Sequence, residues 1–258
     1  MTHPNVIVYA SAEVLAEAVA ARLVTRLVDL QSASGSASIV LTGGRSGIAV
    51  LRQIAATRAA GAVDWRALDI YWSDERFLPT GHPDRNDTQA GAALLDHVSV
   101  HPDRVHPMGS SDGPWGDDPD SAARAYEALL LRRMRPEDRD GLAPSFDVAL
   151  LGVGDDGHVA SVFPAFPAVY ETERVAVAVR GAPKPPPTRI TMTLPAIRCI
   201  SEVWLVVAGA EKAAAVVMAL HGTGEIQIPA ACATGRRRTL WLLDRSAAAK
   251  LPPDLLPR

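Results

Sequence analysis

The most constraining feature of this 258-residue chain is a series of short apolar runs that alternate with longer stretches of helical periodicity. The runs are nearly continuous in apolar residues and contain β-branched residues at several points, which is typical of strands covered on both faces by helices. Strands that alternate with helices predict an α/β fold, a doubly wound and largely parallel sheet with helices on both faces. The runs are Val6–Ala10, Ile39–Thr42, Leu68–Ser73, Asp147–Gly154, Glu202–Gly209 and Thr239–Asp244.

Three helices are predicted between these runs. Ser11 is typical of an N-cap and Glu13 of a first turn, so the first helix is predicted from Ser11 to about Leu30. The others run through "IAVLRQIAATRAA" and through "AEKAAAVVMAL", which puts Lys212 in a first turn. The length suits a single domain over residues 1–258, and the sequence contains no internal repeat.

Composition excludes several classes of function. The formal net charge is -3, so the chain has no basic field to attract nucleic acid or anionic lipid. No stretch reaches about 18 uninterrupted apolar residues and no signal-peptide pattern opens the chain, so we expect no membrane partner. Cys199 and Cys232 lack metal-ligand spacing and are flanked by apolar residues, which predicts buried free thiols and a cytoplasmic location.

The turns that follow the predicted strands are the places to seek a site, because ligands bind outside the carboxyl ends of parallel strands. After the second run comes "LTGGRSG", where Gly43 and Gly44 precede a helix whose free N–H groups suit an anion. Glycine turns after strands are common, and the sequence matches neither the Walker pattern nor GxGxxG. After the third run come Asp74, Glu75 and Arg76, a triplet that is equally consistent with a solvated loop.

The stretch "LLGVGDDGHVASVFP" combines glycines, two aspartates and one histidine directly after an apolar run. We expect His158 to begin a short helix through "VASVF", where the helix dipole favours a neutral imidazole that can take up a proton. Asp156 could orient the ring, whereas Asp155 is consistent with a solvated side chain. The alternatives are a structural histidine or a metal ligand, and no second histidine lies nearby to support the metal.

Two further segments supply cations. Lys184 and Arg189 lie in "PKPPPTRITMTLP", where the prolines stiffen the chain and fix where these side chains point. Lys212 near a helix N-terminus is unfavourable with the dipole unless an anion is bound between them. A surface lysine remains the alternative interpretation.

Taken together, the motifs "TGGRSG", "SDERFLP" with "RND", "LLGVGDDGHVASVFP", "PKPPPTRITMTLPAI", "VAGAEKAAAV" and "IPA…WLLDRSAA" resemble those of the 6-phosphogluconolactonases over residues 6–249. The resemblance implies the isomerase/lactonase-type Rossmann-like fold, shared with glucosamine-6-phosphate isomerase/deaminase. It implies hydrolysis of 6-phospho-D-glucono-1,5-lactone, the second step of the oxidative pentose phosphate pathway. It also implies that neither a metal nor an organic cofactor takes part.

Carried over by position, the resemblance implies a catalytic His158 with Asp156 as its partner and Arg76 beside it. Many members have the sequence Ser-Gly-Gly-Ser-Thr-Pro at the phosphate turn, whereas this chain has Arg45 and Gly47. The resemblance therefore does not assign the groups that donate hydrogen bonds to the phosphate. The predicted substrate-binding residues are Gly43, Gly44, Arg45, Ser46, Asp74, Glu75, Arg189 and Lys212.

The predicted mechanism is attack of water on the lactone carbonyl, with His158 as general base and then as acid to the ring oxygen. GxSxG is absent, so no serine nucleophile is expected. The alternatives are an amino-sugar phosphate deaminase and a non-catalytic sugar-phosphate sensor. The deaminases place glutamate where this chain has Phe163 and tyrosine where it has Arg76. The expected partner is a small sugar-phosphate lactone, and the expected state is a monomer, with a weak homodimer as the alternative.

Overall fold

A seven-stranded parallel sheet and a three-stranded antiparallel sheet organise the structure, a computed structural model that describes residues 5–138, 141–253 and 255. The strands are β1 (Asn5–Tyr9), β2 (Ala37–Leu41), β3 (Leu68–Trp72), β4 (Asp74–Arg76), β5 (Val105–His106), β6 (Val148–Leu151), β7 (Ala176–Val179), β8 (Arg189–Met192), β9 (Glu202–Val207) and β10 (Arg238–Asp244). The large sheet has the order β1-β10-β9-β6-β2-β3-β5. The predicted α/β fold class is confirmed, and each of the six predicted runs overlaps a strand of this sheet.

Helices cover both faces of the large sheet. The α-helices are α1 (Ala12–Ser34), α2 (Gly44–Ala56), α3 (Asn86–Ala93), α4 (Pro119–Leu131), α5 (Leu194–Arg198) and α6 (Ala213–Leu220). The core residues of α1, α2 and α3 pack in one cluster with Ile39 and Leu41, while those of α4, α5 and α6 pack in the other with Val40. Alternate residues of β2 therefore face opposite layers, as strand geometry requires. The strands β2, β6 and β9 are buried along their whole length, which explains their apolar sequences.

The start of α1 confirms the predicted cap. Ser11 is the N-cap, and its hydroxyl oxygen accepts a hydrogen bond from the backbone N–H of Val14 at 3.3 Å. The helix continues four residues beyond the predicted Leu30 and ends at Gly35, whose φ of 77° is the left-handed conformation that favours glycine.

The small sheet, with the order β4-β8-β7, was not predicted. Its strands have only three or four residues and lie in polar or proline-rich surroundings, so their apolar pattern is short. The pairing of β4 with β8 is antiparallel and sets Arg76 opposite Arg189. The second sheet therefore brings two distant predicted site segments together.

The position of Lys212 differs from the prediction. Ala210–Lys212 form a single 3₁₀ turn, and α6 begins only at Ala213. Gly209, with a φ of 108°, starts this turn, and its N–H donates to the Asp244 carboxylate at 3.2 and 3.3 Å. The hydrogen bonds to Asp244 hold this turn in place. Lys212 therefore lies before the α-helix and not in its first turn.

The cysteines and the lengths of the helices were also part of the sequence analysis. Cys199 is buried and Cys232 is partly buried, and both are free thiols. Within the described ranges, the helices are all too short or too polar to cross a membrane.

Candidate active site

A cavity of about 230 Å³ opens at the carboxyl ends of the central strands, where parallel sheets bind ligands. Its walls come from the turns after β2, β6 and β9, from β4, from the first residue of α3 and from the start of β8 with the segment before it. The predicted site residues that line it are Gly43, Gly44, Arg45, Ser46, Asp74, Arg76, His158, Arg189 and Lys212. Five distant sequence segments therefore meet in one cavity.

The loop that carries His158 is a compact turn, so the predicted helix through "VASVF" is wrong. The backbone N–H of Gly154 donates to the carbonyl of His158 at 2.8 Å, and Val159 forms isolated bridges with residues on either side. Gly157 and Ala160 have positive φ values of 85° and 50°, which an α-helix cannot accommodate. These bonds turn the chain back on itself and direct the imidazole into the cavity.

Asp156 holds the imidazole from behind and does not line the cavity. Its Oδ1 lies 2.5 Å from Nδ1 of His158 and also accepts the backbone N–H of His158 at 3.1 Å. Burial alone would raise the pKa of Asp156, but the hydrogen bond and charge of His158 outweigh it and lower that pKa to about 2. The carboxylate is therefore an acceptor only, so Nδ1 carries the proton of this bond and Nε2 is the nitrogen left for proton transfer.

Phe163 packs against the imidazole of His158. Its fully buried ring has its centroid 4.5 Å from that of His158, and Cζ of Arg189 lies 5.5 Å from the same phenyl centroid. The phenyl ring therefore packs against both the imidazole of His158 and the guanidinium of Arg189. These contacts restrict the orientations of the two side chains.

The turn after β2 presents the start of a 13-residue helix to the cavity. Gly43 is the N-cap of α2 and makes no side-chain capping bond, so the first N–H groups of the helix stay available to an anion. A Cβ at Gly43 would lie 1.8 Å from Oδ1 of Asn86, which excludes any other residue in this arrangement. Gly44 has a φ of 77°, in the left-handed region.

Arg189 is 5% exposed and is held by backbone carbonyls of its own loop. Its Nη2 donates to Lys184 at 2.9 Å and Pro185 at 3.1 Å, and its Nε donates to Pro186 at 3.0 Å. Burial lowers the pKa of Arg189 from its ordinary value, while the Asp74 carboxylate opposes that shift. The guanidinium thus fixes the proline-rich segment and lines the cavity at the same time.

Asp74 connects this arginine to the histidine loop. Its Oδ2 accepts the hydroxyl of Ser161 at 2.7 Å and lies 4.0 Å from Nη1 of Arg189. Ser161 is fully buried, so it packs inside the protein and does not face the cavity.

Two ion pairs cross the cavity mouth. Lys184, a lining residue outside the predicted set, pairs with Asp155, which is therefore not a free solvated carboxylate. Arg45 pairs with Glu211 at 2.7 Å, and its side chain is 87% exposed, so this unusual cation lies at the rim. Lys184 was one of the two cations expected from the proline-rich segment, but it was not among the predicted substrate-binding residues.

Glu75 is fully buried and lies outside the cavity lining, which corrects the expected contact with substrate. Successive residues of a strand face opposite sides, so Asp74 faces the cavity while Glu75 does not. Glu75 Oε1 accepts the backbone N–H groups of Arg76 at 2.7 Å and Asn86 at 2.6 Å, which makes it a positioning residue. Burial, with the charge of Asp87, raises the pKa of Glu75 to about 7.

Across the described part of the chain, no group of three or more histidine, cysteine, aspartate or glutamate side chains has the arrangement of a metal site. The cavity combines one oriented imidazole, an uncapped helix start and several cations.

Comparison with known proteins gives a consistent result. A family model described as glucosamine-6-phosphate isomerases/6-phosphogluconolactonase matches residues 10–241. The chain is 57% identical to a 6-phosphogluconolactonase of Streptomyces coelicolor, covering 98% of this chain and 97% of that protein. It is 49% identical to a 6-phosphogluconolactonase of Mycobacterium tuberculosis, covering 95% and 97%.

A solved structure of 6-phosphogluconolactonase from Trypanosoma brucei superimposes with a TM-score of 0.83 at 27% identity, covering 96% of this chain and 99% of that one. The family suggested by the motifs is thus confirmed along nearly the whole sequence. This chain belongs to the glucosamine-6-phosphate isomerase/6-phosphogluconolactonase family.

Proposed function

We propose that this protein hydrolyses 6-phospho-D-glucono-1,5-lactone to 6-phospho-D-gluconate in the oxidative pentose phosphate pathway. The observation that carries the proposal is the Asp156–His158 pair, which presents Nε2 to a cavity bordered by an uncapped helix start and several cations. The 57% and 49% identical relatives that carry the name 6-phosphogluconolactonase support the same reaction.

His158 acts first as a base. Its Nε2 takes a proton from water while the water oxygen bonds to C1 of the lactone, and the carbonyl oxygen becomes an oxyanion. Collapse of this intermediate breaks the bond between C1 and the ring oxygen, and the imidazolium returns its proton to that oxygen. The sum is addition of one water, and such acid–base assistance contributes about 10²–10⁴-fold.

The phosphate of the substrate is anchored at the Gly43–Ser46 turn, with Arg189 and Lys212 as cations. Three features support this anchor: the uncapped N-terminus of α2, the lysine next to β9 and the buried guanidinium. Held there, the lactone has its C1 near His158, so binding energy orients the reacting carbon. Arg76, which also lines the cavity, neutralises the developing oxyanion.

An amino-sugar deaminase is the competing activity within the same family. Its members have a glutamate five residues after the motif histidine, whereas Phe163 is buried against the imidazole here. Among the described lining residues, Asp74 is the one carboxylate, and it is bonded to Ser161. The cavity thus lacks a free second carboxylate for amino-sugar chemistry.

The test is lactone hydrolysis above the spontaneous rate, with substrate made freshly by oxidation of glucose 6-phosphate. His158→Ala and His158→Asn should each lower kcat by at least about 10²-fold while the thermal unfolding midpoint stays close to that of the wild type. Near-full activity in either variant would remove His158 from the mechanism. Release of ammonia from glucosamine 6-phosphate would indicate the deaminase, and sugar-phosphate binding without turnover would indicate a sensor.

We also propose that the protein acts in the cytoplasm, as a single domain and as a monomer. The two free cysteines support a reducing compartment. One sheet shared by both helical layers supports the single domain. Light scattering at enzyme concentrations used in the assay tests the monomer against a weak homodimer.

A further inference from the structure

A second polar cavity, of about 280 Å³, lies at the amino ends of the parallel strands, away from the cavity that holds His158. It is bordered by the starts of β2 and β3, by the residues before β6 and by the segment that follows α4. The described residues that line it are all different from those around His158. This amino-end cavity is close in volume to the 230 Å³ of the His158 cavity, so it can hold a small molecule.

The two carboxylates that line the amino-end cavity are already engaged within the protein. Oδ2 of Asp69 accepts from Nη1 of Arg104 at 2.6 Å, and its Oδ1 lies 3.1 Å from Nε2 of His106. Asp138 is 1% exposed and accepts two backbone N–H groups, at 2.9 and 3.1 Å. Both acids therefore have their partners before any ligand binds.

Two arginines of the cavity have no such compensation. Arg132 and Arg133 follow the end of α4 and are exposed, and no carboxylate of a described residue lies within ion-pair distance of either. Nη2 of Arg133 lies 3.5 Å from Nε2 of His106, whose ring stacks on that of Tyr71 with centroids 4.5 Å apart. One imidazole therefore lies against both the guanidinium of Arg133 and the ring of Tyr71. Arginines after a helix C-terminus also interact favourably with its dipole, so the cations alone do not indicate a ligand.

Tyr71 supplies a hydrogen-bond donor that the protein does not use. Its side chain is 2% exposed and lines the cavity, yet its hydroxyl forms no hydrogen bond with any described residue. The enclosed side-chain oxygens without a partner in the described part of the chain are those of Ser73 and Asn86, so the Tyr71 hydroxyl is reached from the cavity. Burial, with the charge of Asp69, raises the pKa of Tyr71 to about 12, so the phenol keeps its proton and can donate it to an acceptor.

We propose that the amino-end cavity binds the phosphate group of a small molecule, with Arg132 and Arg133 as cations and the Tyr71 hydroxyl as a donor. A phosphate accepts hydrogen bonds from guanidinium and phenol groups alike, and arginine suits its geometry. Because this cavity lies at the other ends of the strands, the bound molecule is not the substrate in its reacting position. The site therefore does not depend on the proposed function.

Titration calorimetry of the full chain with inorganic pyrophosphate tests this site. Arg133→Gln should remove one bound ion or weaken its affinity by about 10-fold or more, because a charged donor is lost. Tyr71→Phe keeps the buried ring and removes only the hydroxyl, and it should weaken the same binding by about 10-fold. Both variants should keep kcat/KM for the lactone within about 2-fold of the wild type, since the two cavities are separate. Inhibition of lactone hydrolysis by pyrophosphate reports binding beside His158 and should be unchanged in them.

Arg52→Gln is the matched control, since Arg52 is an exposed arginine of α2, in the helical layer on the other face of the sheet. It should bind pyrophosphate as the wild type does. Unchanged number and affinity of bound ions in Arg133→Gln and Tyr71→Phe would overturn the site, as would an equal loss in Arg52→Gln. A lower thermal unfolding midpoint of Arg133→Gln with intact pyrophosphate binding would assign the arginine to the helix dipole and would also overturn the site.

Discussion

Adjacent acidic residues in this site have different environments. Asp156 holds the imidazole, whereas Asp155 pairs with Lys184 across the cavity mouth. Asp74 lines the cavity, whereas Glu75 is buried and binds backbone N–H groups. The sequence located both pairs and assigned Asp156 to the imidazole. It could not pair Asp155 with Lys184 or put Glu75 outside the cavity, because these placements depend on a contact between distant segments and on a short strand.

The role of Asp156 can be tested by Asp156→Asn. An amide that turns its NH₂ group toward Nδ1 favours the tautomer with the proton on Nε2, which cannot act as the base. We expect kcat to fall by about 10- to 100-fold while KM changes little. Asp155→Asn, the same change one residue earlier, should alter kcat much less, and equal losses in the two variants would contradict the orienting role.

The depressed pKa of Asp156 also predicts a pH dependence of stability. The folded value is about 2 and the ordinary value is 3.8, so the ionised carboxylate stabilises the fold above pH 3.8, and this contribution is lost as the pH falls to 2. Urea unfolding of wild type and Asp156→Asn should show that the stability advantage of the wild type decreases by about 1 kcal/mol as the pH falls from 5 to 2, because solvent screens part of the interaction of this half-buried carboxylate. A difference that stays constant from pH 5 to pH 2 would contradict the coupling between Asp156 and His158.

At the scale of elements, long apolar runs were predictable and short or irregular segments were not. The runs that correspond to β2, β6 and β9 are buried throughout. Their apolar composition follows from this burial, which is why the sequence predicts them. The β4-β8-β7 sheet depends on contacts between distant segments, which no local pattern records. Similarly, a short helix was predicted through the histidine loop, whereas Gly157 and Ala160 have positive φ values of 85° and 50°.

The start of α2 provides a test at this scale. Gly43→Ala would bring a Cβ within 1.8 Å of Asn86 Oδ1, so either the turn or the asparagine must move. We expect KM for the lactone to rise by about 10-fold or more, since misplaced N–H groups bind phosphate poorly. Gly61→Ala is the control, because no atom lies within 4 Å of its Cβ position. Unchanged KM in Gly43→Ala would show that this turn does not anchor the phosphate.

At the scale of the whole molecule, charge is distributed unevenly. The chain has a net charge of -3, yet the described cavity lining contains Arg45, Arg76, Lys184, Arg189 and Lys212 against one carboxylate. Because the positive charges line the cavity and the protein as a whole is weakly negative, the phosphate group of the lactone is attracted to the cavity more than to the rest of the surface. The fold brings these cations together from distant segments of the chain, which net charge alone does not reveal.

This charge distribution predicts a salt-sensitive association step. Between about 0.05 M and about 0.5 M salt, kcat/KM should fall several-fold while kcat stays nearly constant, because screening weakens attraction before binding. Arg45→Gln should lower kcat/KM at low salt and flatten its salt dependence, since Arg45 is a highly exposed cation at the rim. Arg66→Gln makes the same charge change on the exposed turn just before β3, at the amino ends of the strands, and should leave both properties unchanged. Equal effects of the two substitutions would mean that net charge, rather than the cavity, governs the encounter with substrate.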